Sequence, residues 1–95
     1  MRVRWTESAE QDRADVWDFI AADDPVAAAR MDELFSDAAA RLGTFPKMGK
    51  EGRVPGTREL RVHRSYMLVY EMIDDVAWIL SSVHTSRQWP PERTT

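Results

Sequence analysis

The sequence predicts an α+β domain, a two-helix antiparallel hairpin packed on a small antiparallel β-sheet in the order β-α-α-β-β-β. Three observations predict it. Residues 9–42 carry helical periodicity broken once, at Asp23-Asp24-Pro25; a short alternating segment precedes them; and three alternating segments follow a glycine-rich connection. A chain of 95 residues holds one core of this kind and no second domain, so a functional site has to lie on the surface of that core.

Each element has a local reason. In Arg2-Val3-Arg4-Trp5, Val3 and Trp5 alternate with arginines, the period-two pattern of a strand with one buried face. Thr6 or Ser8 then supplies a capping oxygen for a helix running to Ala22. Ala9, Val16, Trp17, Phe19 and Ile20 form its apolar side, with Glu10, Asp12, Asp15 and Asp18 mostly opposite. Asp24 caps the next helix, and Pro25 fits its first position, where no N–H is needed. Ala27, Met31, Leu34, Ala38 and Leu42 recur at helical spacing, so this second helix spans 25–42 and stops at Gly43. So short a connection makes the two helices antiparallel.

Residues 43–57 contain Gly43, Gly49, Gly52 and Gly56 with Pro46 and Pro55, an irregular segment longer than compact domains usually keep without purpose. It is a candidate functional loop. Strands at 58–63, 66–72 and 76–83 follow, the last two joined by an Asp74-Asp75 turn. The tail, 90–95, opens with Pro90 and Pro91 and is expected to be flexible.

The lack of cysteine removes disulfides, thiolate metal sites and a cysteine nucleophile together, and suits a reducing cytoplasm. Two histidines do not make a metal site unaided. The first residues carry no long apolar segment, and no stretch approaches the roughly 18 apolar residues that span a bilayer. A cytoplasmic protein with no metal, no cofactor and no membrane contact is expected.

The formal net charge is −3, unfavourable for nucleic-acid binding when taken whole. Its distribution is uneven. Residues 1–46 hold five Arg/Lys and ten Asp/Glu, a net −5, whereas residues 47–95 hold eight and six, a net +2. Lys47, Lys50, Arg53, Arg58, Arg61 and Arg64 stand against only Glu51 and Glu59. This basic strip is either a solvated strand face or a contact for phosphates or an acidic partner.

Four segments in order, Asp23-Asp24-Pro25-Val26-Ala27-Ala28, Arg58-Glu59-Leu60-Arg61-Val62, Tyr66-Met67-Leu68-Val69-Tyr70-Glu71 and Val83-His84-Thr85-Ser86-Arg87-Gln88-Trp89-Pro90, resemble the RelE/ParE toxins. The likeness covers almost the whole chain. It implies a toxin of a bacterial type II toxin–antitoxin pair, neutralised in a hetero-oligomer by a cognate antitoxin, usually encoded beside it, that wraps a segment around the fold. RelE-like and YafQ-like members cleave messenger RNA on the ribosome, whereas ParE-like members share the fold and poison DNA gyrase. The helical hairpin and the acidic N-terminal half are similar to ParE, which makes DNA gyrase the first expected target. His84 falls where YafQ-like ribonucleases place a histidine, which makes a ribosome-dependent mRNA endoribonuclease the second. A non-toxic interaction module is the third.

Metal-free RNA cleavage needs a base for the ribose 2′-hydroxyl, a cation for the phosphorane and a donor for the leaving oxygen, roles that suit histidine and arginine. The candidates are His84 and Arg87 after the last strand, and Arg61 and His63, which period two places on one face with Glu59. RelE-like enzymes carry an arginine at the end of the last strand; Ser86 takes the closest position here, with Arg87 one place on. Each candidate also has a plainer role: His84 ends a strand, and Arg61 pairs with Glu59, Glu71 or the antitoxin. Tyr66 and Tyr70 read as core residues. Trp89 either stacks on a base or anchors a partner. Arg58, Arg64, Trp89, Lys47 and Lys50 are the expected contacts for target or antitoxin.

Overall fold

Seven elements appear in the computed structural model, which describes residues 1–87, 89 and 90. Strand β1 (Arg2–Trp5) leads into helix α1 (Glu7–Ala21) and helix α2 (Pro25–Thr44), followed by β2 (Lys50–Glu51), β3 (Thr57–His63), β4 (Tyr66–Ile73) and β5 (Val76–His84). Of the tail expected to be flexible, 91–95 lie outside the described residues.

The helix boundaries follow from their caps. The Thr6 hydroxyl accepts the Ala9 N–H at 3.1 Å, and Asp24 Oδ1 accepts the Val26 and Ala27 N–H groups, both at 3.1 Å. These bonds satisfy donors that the first helical turn leaves without intrahelical partners. Helix α2 runs past Gly43 to Thr44, beyond the stop expected from the sequence. Gly43 serves close approach instead: a Cβ there would sit 3.2 Å from the Met1 carbonyl oxygen, and the terminal ammonium of Met1 donates to the Gly43 carbonyl at 3.1 Å.

The sheet has five strands in the order β1-β5-β4-β3-β2, where four antiparallel strands were expected. Strand β1 joins it in parallel, Arg2 to Trp5 pairing with Val76 to Ile79, while the other pairs are antiparallel. The parallel pair follows from the connection, since the intervening hairpins return the chain to β1 in the same direction. Strand β2 adds two residues, Lys50 opposite Glu59 and Glu51 opposite Arg58.

Both helices cover one face of the sheet. Ala9 from α1 and Met31, Phe35, Ala38 and Leu42 from α2 close over Tyr66, Leu68, Tyr70, Ala77 and Ile79. Phe35 and Tyr66 meet edge to face at 6.1 Å between ring centroids. The buried seam of α2 is Ala28, Met31, Phe35, Ala38 and Leu42, so Leu34, expected inside, stands partly exposed. On α1 the same correction applies to Trp17 and Phe19: Val16 and Ile20 pack on the core, whereas Phe19 is 75% exposed. One narrow stripe cannot hold positions 16, 17, 19 and 20 together, because at roughly 100° per residue 17 and 19 lie about 160° apart, on either flank of 16 and 20.

Two irregularities reset the strand faces. In β5, Ile79 pairs with Tyr70 and Ser81 with Val69, leaving Leu80 as an extra residue. In β3, Arg61 pairs with Met67 and His63 with Tyr66, leaving Val62 as the extra one. An inserted residue shifts everything beyond it relative to simple alternation.

Of the candidate functional loop expected at 43–57, the part beyond α2, residues 45–56, is pinned from inside. The Tyr70 hydroxyl accepts the Gly49 N–H at 3.0 Å and donates to the Pro46 carbonyl at 2.7 Å. Arg58 Nη1 donates to the Gly49 carbonyl at 2.7 Å. Here the length serves a bracket that carries β2 to the sheet edge. No helix among the described residues is long and apolar enough to cross a membrane.

Candidate functional site

A concavity of about 870 Å³ lies between α1 and the end of β5. Asp12, Asp15, Val16 and Phe19 line its helical wall, spaced to fall on one face of α1. Its other side is formed by Tyr66, Ser81, Ser82, Val83, His84, Ser86, Arg87 and Trp89. The bulge at Leu80 organises the floor. Past it, Asp12 Oδ2 accepts the Ser81 hydroxyl at 2.7 Å and the Ser82 N–H at 3.2 Å, so one carboxylate ties helix to strand. The Ser82 hydroxyl is buried with no hydrogen-bond partner.

His84 stands edge to face with Tyr66, 5.2 Å between centroids. Its Nδ1 accepts the backbone N–H of Ser86 at 3.1 Å, with the Ser86 hydroxyl 2.7 Å away. A backbone N–H can only donate, so Nδ1 is the acceptor and the neutral ring carries its proton on Nε2. His63 repeats the device, with Nδ1 accepting the Ser65 N–H at 3.1 Å. An imidazole held this way presents Nε2 as a donor, with its lone pair on Nδ1 already engaged.

The four candidate catalytic residues do not converge. His84 and Arg87 share the cleft. Arg61 is aligned with Met67, the neighbour of Tyr66, so alternation turns it to the sheet face opposite His84. It lines a groove of about 300 Å³ with Lys50, Glu59, Leu60 and Met67. The bulge at Val62 also separates Arg61 from His63, contrary to the period-two expectation. His63 and Arg64 instead end β3 and open the turn, where the Arg64 and Ser65 carbonyls accept the Thr85 hydroxyl and N–H, each at 2.8 Å.

The expected contact residues spread likewise. Trp89 lines the cleft and Lys50 the smaller groove. Lys47 is exposed, and Arg58 is turned inward onto the Gly49 carbonyl. Tyr66 and Tyr70 are core residues, as their spacing predicted. Among the described residues no group of His, Asp and Glu side chains is placed to hold a metal ion.

The sequence reading missed the acidic wall and the serine floor. Both left a signal. Asp12, Asp15, Val16 and Phe19 have the i, i+3, i+4, i+7 spacing of a single helix face, and Ser81-Ser82 interrupts an otherwise apolar strand.

The family model described as "ParE toxin of type II toxin-antitoxin system, parDE" matches residues 3–89. A Sinorhizobium fredii protein carrying the name "Putative toxin Y4kP" is 37% identical over 90 residues, 94% of this chain and 93% of that protein. Among solved structures, one described as a chromosomal ParDE TA system from P. aeruginosa superposes with a TM-score of 0.77 at 20% identity, covering 88% of this chain and 95% of that one. A YoeB/ParE toxin from Agrobacterium tumefaciens superposes with a TM-score of 0.62 at 21% identity, covering 88% and 98%. These structures share the fold, and the family match extends over nearly the whole chain: the protein belongs to the ParE toxin family of type II toxin–antitoxin systems.

Proposed function

We propose that this toxin arrests growth by binding DNA gyrase and is held inactive in a hetero-oligomer with a cognate antitoxin encoded beside it. The observation that carries a binding mode over a catalytic one is the state of His84. Its Nδ1 lone pair is engaged by the Ser86 N–H, and Arg61 lies across the sheet on the other face. A general base needs a free lone pair beside the cation that steadies the phosphate, and of the two candidate arginines only Arg87 lies in the cleft with His84. The acidic first half of the chain also favours a protein target over a polyphosphate. Supercoiling by purified gyrase, titrated with the toxin, is the test: inhibition or trapped cleavage is expected, and full supercoiling at excess toxin removes the reading.

A second reading, a ribosome-dependent mRNA endoribonuclease, is supported by His84, Arg87 and Trp89 meeting in one cleft. The two diverge at His84→Ala, which ends growth arrest if the imidazole takes part in cleavage and leaves it intact if the toxin only binds.

A further inference from the structure

The α1–β5 cleft carries a set of groups that the same molecule uses elsewhere to hold a guanidinium. Arg13 forks onto Asp32, with Nε 2.6 Å from Oδ1 and Nη2 2.9 Å from Oδ2. Its Nη2 also reaches the Ser36 hydroxyl at 2.7 Å, and the guanidinium carbon lies 4.9 Å from the centre of the Trp5 ring. Carboxylate, serine hydroxyl and aromatic face together form the seat.

The cleft repeats that set without its cation. Asp12 and Asp15 supply carboxylates, Ser82 a hydroxyl, and Phe19, Tyr66 and Trp89 aromatic surface. Among the described residues, Asp15 bonds only the Gln11 amide, at 2.9 Å. Arg87 also lines the cleft but forms no ion pair with either acid, Arg13–Asp32 being the one pair among the described residues. Ser82 is 7% exposed, and its hydroxyl has no partner. A buried hydroxyl left unpaired is unfavourable, and a donor arriving in the cleft relieves it.

We infer that this cleft receives an arginine of the antitoxin, its guanidinium on Asp12, Asp15 and the Ser82 hydroxyl, with a neighbouring apolar side chain against Val16, Phe19 and Trp89. The inference rests on the antitoxin reading above and gives that partner a cationic anchor, the complement of an N-terminal half that is net −5. Arginine fits better than lysine, because a planar fork can engage a carboxylate and a hydroxyl at once.

Calorimetric titration of the toxin with the antitoxin encoded beside it tests the assignment. Asp15→Lys should lower affinity by about tenfold or more, since it sets two cations against each other. Ser82→Ala should lower affinity several-fold while leaving the free toxin at least as heat-stable as the wild type. Asp37→Lys, the same charge change at an exposed α2 position outside the cleft, should bind normally. Wild-type affinity in Asp15→Lys, or an equal loss in Asp37→Lys, overturns the inference. If Asp15→Lys keeps its antitoxin but no longer inhibits gyrase, the cleft belongs to the target and the assignment falls. A wild-type toxin that does not bind the antitoxin removes the antitoxin reading itself.

Discussion

The Tyr70 hydroxyl and the Gly49 amide are 3.0 Å apart in a buried hydrogen bond that fixes the approach of the 45–56 segment to the sheet. The same oxygen donates to Pro46, so one phenol satisfies two backbone groups. Tyr70→Phe should cost about 1–3 kcal/mol, the penalty of leaving such groups unpaired. Equilibrium urea unfolding at constant m-value reads it, and a midpoint equal to wild type would show that water replaces the phenol.

Gly49→Ala tests the same contact from the other side. An added Cβ would lie 2.8 Å from the Tyr70 hydroxyl and 2.9 Å from the Glu59 carbonyl oxygen, closer than real carbon atoms approach either. A loss of about 1–3 kcal/mol is expected from overpacking. Thermal unfolding of this variant should show a lower midpoint, with no comparable drop for Gly56→Asn. At that position nothing lies within 4 Å of an added Cβ and φ is 87°, a region asparagine tolerates better than other side chains.

Asp12 ties α1 to β5 through Ser81 and Ser82. Asp12→Ala should destabilise the fold by about 1–3 kcal/mol, because the Ser82 N–H loses its acceptor. Amide hydrogen exchange gives the local readout: faster exchange at Ser82 is expected, and unchanged protection there would refute the tie.

Arg13 and Asp32 link the two helices, with side chains 22% and 37% exposed. Solvent screening limits the pair, and a double-mutant cycle with Arg13→Ala and Asp32→Ala should give a coupling of about 1 kcal/mol that shrinks in high salt. Strict additivity would place the contribution of Arg13 in its stacking on Trp5.

Phe19 and Phe35 offer a contrast in one residue type. Phe35→Ala, at 1% exposure, should cost about 3–5 kcal/mol through cavity formation. Phe19→Ser, at 75% exposure, should change stability by no more than about 0.5 kcal/mol. A large loss at Phe19 would mean that the cleft wall supports the core.

The helical hairpin, its caps and four of the five strands were legible because each rests on local chemistry: Thr6 and Asp24 cap, Pro25 starts a helix, Val3 and Trp5 alternate with arginines, and Tyr66, Leu68 and Tyr70 alternate. What escaped depends on residues distant in sequence. The parallel partnership of β1 with β5 involves strands more than seventy residues apart, and the two-residue β2 is too short to show a period. The bulges at Val62 and Leu80 are set by partners on β4. They separated Arg61 from His63 and brought Ser81 and Ser82 onto the cleft floor. Among the candidate residues, only the meeting of His84, Arg87 and Trp89 was near enough in sequence to be foreseen.

The parallel pairing of β1 has a temporal consequence. Among the described strands, Arg2–Trp5 is translated first and its partner, Val76–His84, last. A chain interrupted before Val76 lacks both the floor that Asp12 clasps and the partner of β1. Such a fragment carries the acidic helix but not the surface built around it, so the α1–β5 cleft comes into being only once β5 has been translated.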